Sequence, residues 1–187
     1  MGSRSTFVRA KFGGFRGRRL LKDDVLKKGE GPLSDSPRSL PARCIPDYPK
    51  EVALKAMPGP QEDFFHDTID LFFSASYQVT AQSDRMGCRL NGPVIEHDKN
   101  APESIVTEPT IPGNVQVPAD GQPIILLVEQ TTGGYSKIAT VISTDIQSVA
   151  QLMPGHKVMF ERLTLEKAHF LYRESETLLQ QIREILR

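Results

Sequence analysis

The sequence predicts a mainly β fold with a few helices. Most of its apolar runs are short and end in Gly or Pro turns, and only three stretches carry the three- and four-residue apolar spacing of an amphipathic helix. Three strings, Gln82–Leu90 (QSDRMGCRL), Gly113–Leu127 (GNVQVPADGQPIILL) and Gln130–Ser143 (QTTGGYSKIATVIS), join strand-like residues to dense groups of small, hydrogen-bonding side chains. That composition suits loops that meet a polar ligand or a partner.

Residues 1–26 read as a strand-like opening followed by a turn at Gly13, Gly14 and Gly17. Lys27–Tyr48 is rich in Pro, Ser and Gly and has little to bury, so it reads as a linker. VALKAMPGP is a short strand stopped by Pro58 and Pro60, which forbid helix continuation. Glu62–Phe73 places Phe65, Ile69, Phe72 and Phe73 on one helical face. Ser76–Pro93 reads as two strands broken near Ser83, with a turn at Asn91–Gly92. A turn at Pro118–Gly121 precedes a strand over Pro123–Glu129, and Ser136–Ile142 is the next strand. Ser143, Thr144 and Gln147 open a short helix, with Thr144 and Gln147 in capping-box register. HKVMFERLT is the last strand. From Leu165 onward, Ala168, Leu171, Tyr172, Ser175, Leu178, Leu179, Ile182 and Leu186 form a helical stripe.

At 187 residues the chain can build one domain with a sizeable core, or one domain and part of another. Lys plus Arg equals Asp plus Glu at 23 each, so no global field favours nucleic acid or an anionic membrane. The basic run from Arg4 to Lys22, interleaved with Phe7, Phe12 and Phe15, has no RNA-binding pattern around it. No apolar stretch is long enough to span a bilayer, and the N-terminus has no signal-like apolar core. Cys44 and Cys88 fit neither a zinc knuckle nor a redox pair, so two free thiols in a cytoplasmic setting are expected.

The chemistry-bearing residues are few. The four histidines show no metal-ligand spacing, so no metal is expected. There is no G-x-S-x-G elbow, and neither TTGGYSK nor FGGFRG completes a phosphate-binding loop. Asp84, Arg85 and Arg89 can hold a carboxylate or phosphate through paired guanidinium hydrogen bonds, with the acid fixing one arginine. They equally fit a salt bridge on a barrel rim. Were they on one strand, Arg85 and Arg89 would share a face. Thr131, Thr132, Gly133, Gly134 and Tyr135 combine close-approach glycines with hydroxyl groups, which suits a ligand loop or a tight hairpin. Gln116 is a weaker candidate beside the ordinary turn at Asp120–Gly121.

With Gly2–Leu26 (GSRSTFVRAKFGGFRGRRLLKDDVL) and Met57–Phe65 (MPGPQEDFF), these strings make five motifs in one order. In that order the chain resembles the biotin-dependent-carboxyltransferase-like family, from Gly2 to about Ala168. That family includes the C subunit of bacterial ATP-dependent 5-oxoprolinase, the second subunit of allophanate hydrolase, and an antagonist of a sporulation-kinase inhibitor. The resemblance implies a cyclophilin-like closed β-barrel over residues 51–187, with 1–26 a fragment of a preceding subdomain and 27–50 a linker. Members are longer and carry GSRST well inside them, so an N-terminally truncated member is expected. Phe7, Phe12 and Phe15 would then lack their natural neighbours.

The resemblance further implies a 5-oxoprolinase subunit that opens 5-oxoproline to glutamate with ATP, beside a companion B-type subunit. ATP is shared with the partner subunits, this chain carries no biotin, and the chain alone is not expected to be active. A urea- or allophanate-type carboxyltransferase module and a non-catalytic kinase-inhibitor antagonist are the rivals. Asp84, Arg85 and Arg89 are expected to converge with Thr131–Tyr135 at one mouth of the barrel, in a pocket for a small amide or lactam completed by the partner.

Overall fold

The computed structural model describes residues 3–8, 10–27, 29, 31, 39–102 and 104–185. The chain divides into two compact units, Met1–Ser39 and Leu40–Arg187. Much of the expected linker, residues 28, 30 and 32–38, lies outside the described residues, as does Leu186 of the C-terminal stripe.

In the first unit, β1 (Thr6–Phe7) pairs antiparallel with β2 (Phe12–Gly13). The turn after β2 needs glycine. Gly14 has a positive φ, and a Cβ there would lie 1.9 Å from Thr6 Oγ1, the atom that accepts the Phe15 N–H at 3.1 Å. Arg18 grips Asp24 through two 2.7 Å hydrogen bonds, and those bonds hold the Asp24 carboxyl down to about 2. Phe15 lies under the Arg16 and Arg18 guanidiniums, while Phe7 and Phe12 are exposed.

The second unit is a closed seven-stranded barrel with one further strand attached. Its strands are β3 (Glu51–Pro58), β4 (Tyr77–Val79), β5 (Gly87–Asn91), β6 (Ser104–Pro109), β7 (Asn114–Val117), β8 (Ile124–Leu126), β9 (Thr132–Val141) and β10 (Lys157–Arg162). Hydrogen bonds run around the ring in the order β3-β10-β4-β5-β8-β7-β9 and return to β3, with β6 paired to β9. Closure removes the exposed edges that so many short strands would otherwise leave. β3 and β10 pair in parallel, and every other pair is antiparallel.

On β3, β4, β5 and β10 the inward-pointing residues alternate along the strand and are apolar, while β7 and β8 are buried throughout. Leu54 and Ala56, Tyr77 and Val79, Cys88 and Leu90, Val115 and Val117, and Val158 and Phe160 join Ile125 and Val141 in one buried cluster. α1 (Ile69–Ser74) adds Phe72, whose ring stacks on Phe160 at 4.4 Å between centroids. A fully buried side chain of this size contributes about 1.5–3 kcal/mol.

Several elements differ from expectation. The helix expected over Glu62–Phe73 is a single 3-10 turn at Glu62–Phe64 followed by the short α1. The N–H groups of His66 and Asp67 are taken by the Asp98 carboxylate, and Thr68 Oγ1 donates to Glu96 O, so this segment is tied to a distant loop. The capping box at Thr144 does not form. Asp145 instead accepts the Lys55 N–H at 2.9 Å, and α2 (Ile146–Val149) has no side-chain cap. β9 begins at Thr132 rather than Ser136, and β6 was not expected as a strand. α3 (Leu165–Ile185) follows the expected stripe, yet Ala168 is its one buried residue among those described.

Candidate functional site

β9 has two parts. Val141, Thr140 and Ala139 pair with β3, and Thr140, Ala139, Lys137 and Ser136 pair with β7, whereas Tyr135, Gly133 and Thr132 pair with β6. The change of partner follows a bulge. Val115 lies opposite Ala139 and Gln116 opposite Lys137, so Ile138 is an extra residue on β9. The bulge resets the alternation beyond it: Ser136 lies opposite Val117 on the inner face and Lys137 opposite Gln116 on the other, and both are buried, as are Ile138 and Ala139.

Into the fork between β7 and the outer part of β9 goes the Gln116 side chain. It is buried, and Nε2 donates to Tyr135 O at 3.4 Å. Gly133 makes room for it, since a Cβ there would lie 2.3 Å from Gln116 Nε2. Lys137, whose side chain is 3% exposed, is paired with Glu108 of β6. Gln61 joins them: its Oε1 accepts the Lys137 N–H at 3.0 Å, and its Nε2 donates to Glu108 Oε1 at 3.2 Å. The hydrogen bond from Lys137 and its charge hold the Glu108 carboxyl below the usual carboxylate range. Gly59, required because a Cβ would sit 2.2 Å from Lys137 O, brings the Gln61 segment this close.

Beside this cluster, Ser136 Oγ lies 2.6 Å from His97 Nε2, and the His97 ring packs on Phe65 at 4.5 Å. The segment carrying His97 is held by Asp98, which accepts from His66 Nδ1 at 3.0 Å. Asp98 holds His66 above the usual histidine range, chiefly through that hydrogen bond. Cys88 is buried, and loss of water pushes its thiol up to about 11, so it is not an activated nucleophile. Among the described residues no group of three or more His, Cys, Asp or Glu is placed to hold a metal ion.

The sequence-predicted residues fall in three places. Gln116, Gly133 and the Tyr135 carbonyl meet at the fork, while Gly134 faces Ile105 and Thr107 of β6. Thr131 and Thr132 lie just before it: Thr131 O accepts the Thr110 N–H at 3.0 Å, and Thr132 pairs with Pro109. Arg85 reaches the approach to this string through Glu129, two residues before Thr131, with Nε to Oε1 at 2.9 Å. Asp84 does not orient an arginine. Its Oδ1 accepts the N–H groups of Met86 and Gly87, closing the turn into β5. Arg85 lies in that turn and not on β5, so the expected shared face with Arg89 is absent. Arg89 is exposed on β5 opposite Ile124, which is itself opposite Gln116. Paired residues share a sheet face, which puts Arg89 on the Gln116 side of the wall, two strands away.

Sequence reasoning missed Lys137, Glu108, Gln61, Ser136 and His97. A signal existed for two of them: Ser136 and Lys137 adjoin the apolar run IATVI inside a string already singled out. Their burial depends on the bulge at Ile138, which no residue type announces.

A family model described as carboxyltransferase domain, subdomain A and B, matches residues 1–162. The C subunit of 5-oxoprolinase from Escherichia coli is 36% identical over 171 residues, which cover 90% of this chain and 53% of that protein. The Haemophilus influenzae protein of the same name is 35% identical over 188 residues, 100% of this chain and 59% of its own. The chain therefore spans little more than half the length of these curated relatives. Among solved structures, that of Kluyveromyces lactis urea carboxylase is similar with a TM-score of 0.82 at 27% identity, covering 97% of this chain and 18% of that one.

Two outcomes are expected from this geometry. Gly133→Ala should cost about 1 kcal/mol by forcing Gln116 out of place, and in a Gln116→Ala background that extra cost should vanish. Equilibrium denaturation of the four chains measures it, and an undiminished cost in the double variant contradicts it. His66, raised by Asp98, stabilises the tie fully below its ordinary value of about 6.5, and that contribution is lost as pH rises through the raised value. An NMR titration should show the His66 midpoint falling in Asp98→Asn, and an unmoved midpoint would contradict the pairing.

Proposed function

The chain belongs to the carboxyltransferase family of subdomain A and B, and from that membership we propose that it acts as the C-type subunit of an ATP-dependent 5-oxoprolinase. The observation that carries this reading is the identity of 36% and 35% to two proteins that bear the name of the 5-oxoprolinase C subunit. In this reading the chain works in the cytoplasm with a companion B-type subunit and opens 5-oxoproline to glutamate. Residues 51–187 form the working domain, 27–50 a linker, and 1–26 part of a subdomain that precedes it.

A lactam amide resists attack because its nitrogen lone pair is delocalised into the carbonyl. When bound, ATP would supply activation by phosphoryl transfer to the carbonyl oxygen with release of ADP, and the nucleotide would be shared with partner subunits. The part left to this chain is to bind and orient. Gln116, Gly133 and Tyr135 at the fork, with Gly134 between the last two in the chain, offer amide and backbone groups suited to a planar lactam. Arg85 and Arg89 offer guanidiniums suited to its carboxylate, with Asp84 shaping the turn that presents Arg85 and Thr131 and Thr132 lining the approach. A partner subunit completes the pocket over Arg85, Arg89, Thr131, Thr132 and Tyr135, which are exposed.

A second reading is favoured by one observation, the TM-score of 0.82 with a urea carboxylase. The chain would then be a carboxyltransferase module that accepts a carboxyl group from a biotin carried on another chain. Co-expression with companion subunits separates the readings. The first expects ATP hydrolysis that depends on 5-oxoproline, and the second expects ATP hydrolysis that depends on a urea-like amide and a biotin carrier. Arg85→Glu in the assembled complex should lower kcat/KM for 5-oxoproline by about a hundredfold, near 2.7 kcal/mol, with the fold intact by circular dichroism. Unchanged kcat/KM would remove Arg85 from the site.

A further inference from the structure

We propose that Lys137 Nζ and Gln61 Nε2 form a subsite for the carboxylate of a small organic acid, and that Glu108 of β6 occupies this subsite when no such acid is bound. The donors belong to the barrel wall and the acceptor does not. Lys137 lies on the buried half of β9 at the Ile138 bulge. Gln61 is fixed by its own backbone and side chain, since its N–H donates to Lys137 O at 3.2 Å and its Oε1 accepts the Lys137 N–H. Both then aim at a single oxygen, Glu108 Oε1. Two fixed donors converging on one carboxylate oxygen are what recognition of a carboxylate requires.

Glu108 reaches them from the strand that lies outside the closed ring. Among the described residues β6 pairs with β9 alone, its register shifts between Ser104 and Glu108, and Val106 beside the shift is 91% exposed. A strand held by one neighbour opens locally more readily than one inside a closed ring. Its replacement by a free carboxylate keeps the charge of the site constant: one anion leaves the buried ammonium as another arrives, so Lys137 is never left unpaired. Directly across from Glu108 stands Gly133, with no side chain to fill the space and with the Gln116 amide beside it. A small acid bearing a carbonyl near its carboxylate fits this set of donors. The inference deepens the reading given above, on which the choice of 5-oxoproline as one probe rests.

Chemical rescue on the full chain tests it. In Glu108→Ala, sodium acetate should raise the melting temperature above the effect of equal sodium chloride, and the rescue should vanish in Glu108→Ala/Lys137→Met. In the wild-type chain, amide NMR during an acetate titration should show residues 104–109 and 132–133 moving with a single saturable midpoint. Glu108→Gln, which removes the competing charge, should bind acetate at least about tenfold more tightly than the wild type. A folded Glu108→Ala chain that gains no more from acetate than from chloride overturns the proposal. Should that variant fail to fold, the wild-type titration decides, and β6 amides that stay fixed up to saturating acetate overturn it. Binding of acetate but not of 5-oxoproline leaves the carboxylate subsite standing and counts against the 5-oxoprolinase reading.

Discussion

β9 has to satisfy more neighbours than any other strand, and the extra residue at Ile138 is how it does so. The inner half closes the barrel between β3 and β7, while the outer half leaves that ring to pair with β6. A bulge increases local twist and re-aims side chains, so one inserted residue sets which face each residue beyond it takes: Ser136 joins Val117 on the inner face and Lys137 joins Gln116 on the other. Without it, strict alternation from Ala139 would have put Lys137 on the inner face and Ser136 on the other. The fork that receives Gln116, the position of Gly133 opposite Glu108, and the tie from Gln61 all depend on that local geometry.

Placing a lysine in such a wall has a consequence for function. A buried ammonium requires a partner, and a well-packed apolar pair would stabilise the barrel at least as well. Here the partner is an acid on a peripheral strand, joined by a glutamine that satisfies the Lys137 backbone with one end and Glu108 with the other. Nearby, Ser136 and His97 form a second polar pair, held in place through Asp98 and His66. The barrel therefore keeps its apolar core on one side of β9 and concentrates polar groups where β9 leaves the ring. Arg85 and Arg89, exposed on the turn before β5 and on β5 itself, extend that polar surface toward the solvent.

Much of the barrel was legible in the sequence because its signals are local. Val115 and Val117 alternate with Gln116, and Cys88 and Leu90 with Arg89, so the inward face of β7 and β5 follows from period two. Pro58, Gly59 and Pro60 mark the end of β3 for steric reasons. What was not legible depends on distant contacts. Phe65, Ile69, Phe72 and Phe73 have helical spacing, yet Asp98 and Glu96 bind the backbone and side chains of residues 66–68 and leave only a short helix. Gly133 and Gly134 suggest a loop in isolation, and β6 makes them a strand. At the site, Gln116 and the glycines were identifiable by type, whereas Asp84 is consumed by its own turn and the Lys137 cluster needed a bulge that sequence does not encode locally.

The division of β9 into a wall and a separable arm is the central claim, and native-state hydrogen exchange tests it most directly. Amides of residues 136–141 should exchange only through global unfolding. Those of residues 104–109 and 132–135 should exchange through a local opening at least about 2 kcal/mol less costly. If both halves of β9 exchange with the same free energy, β6 and the outer half are an integral part of the barrel, and the account of a displaceable arm is contradicted.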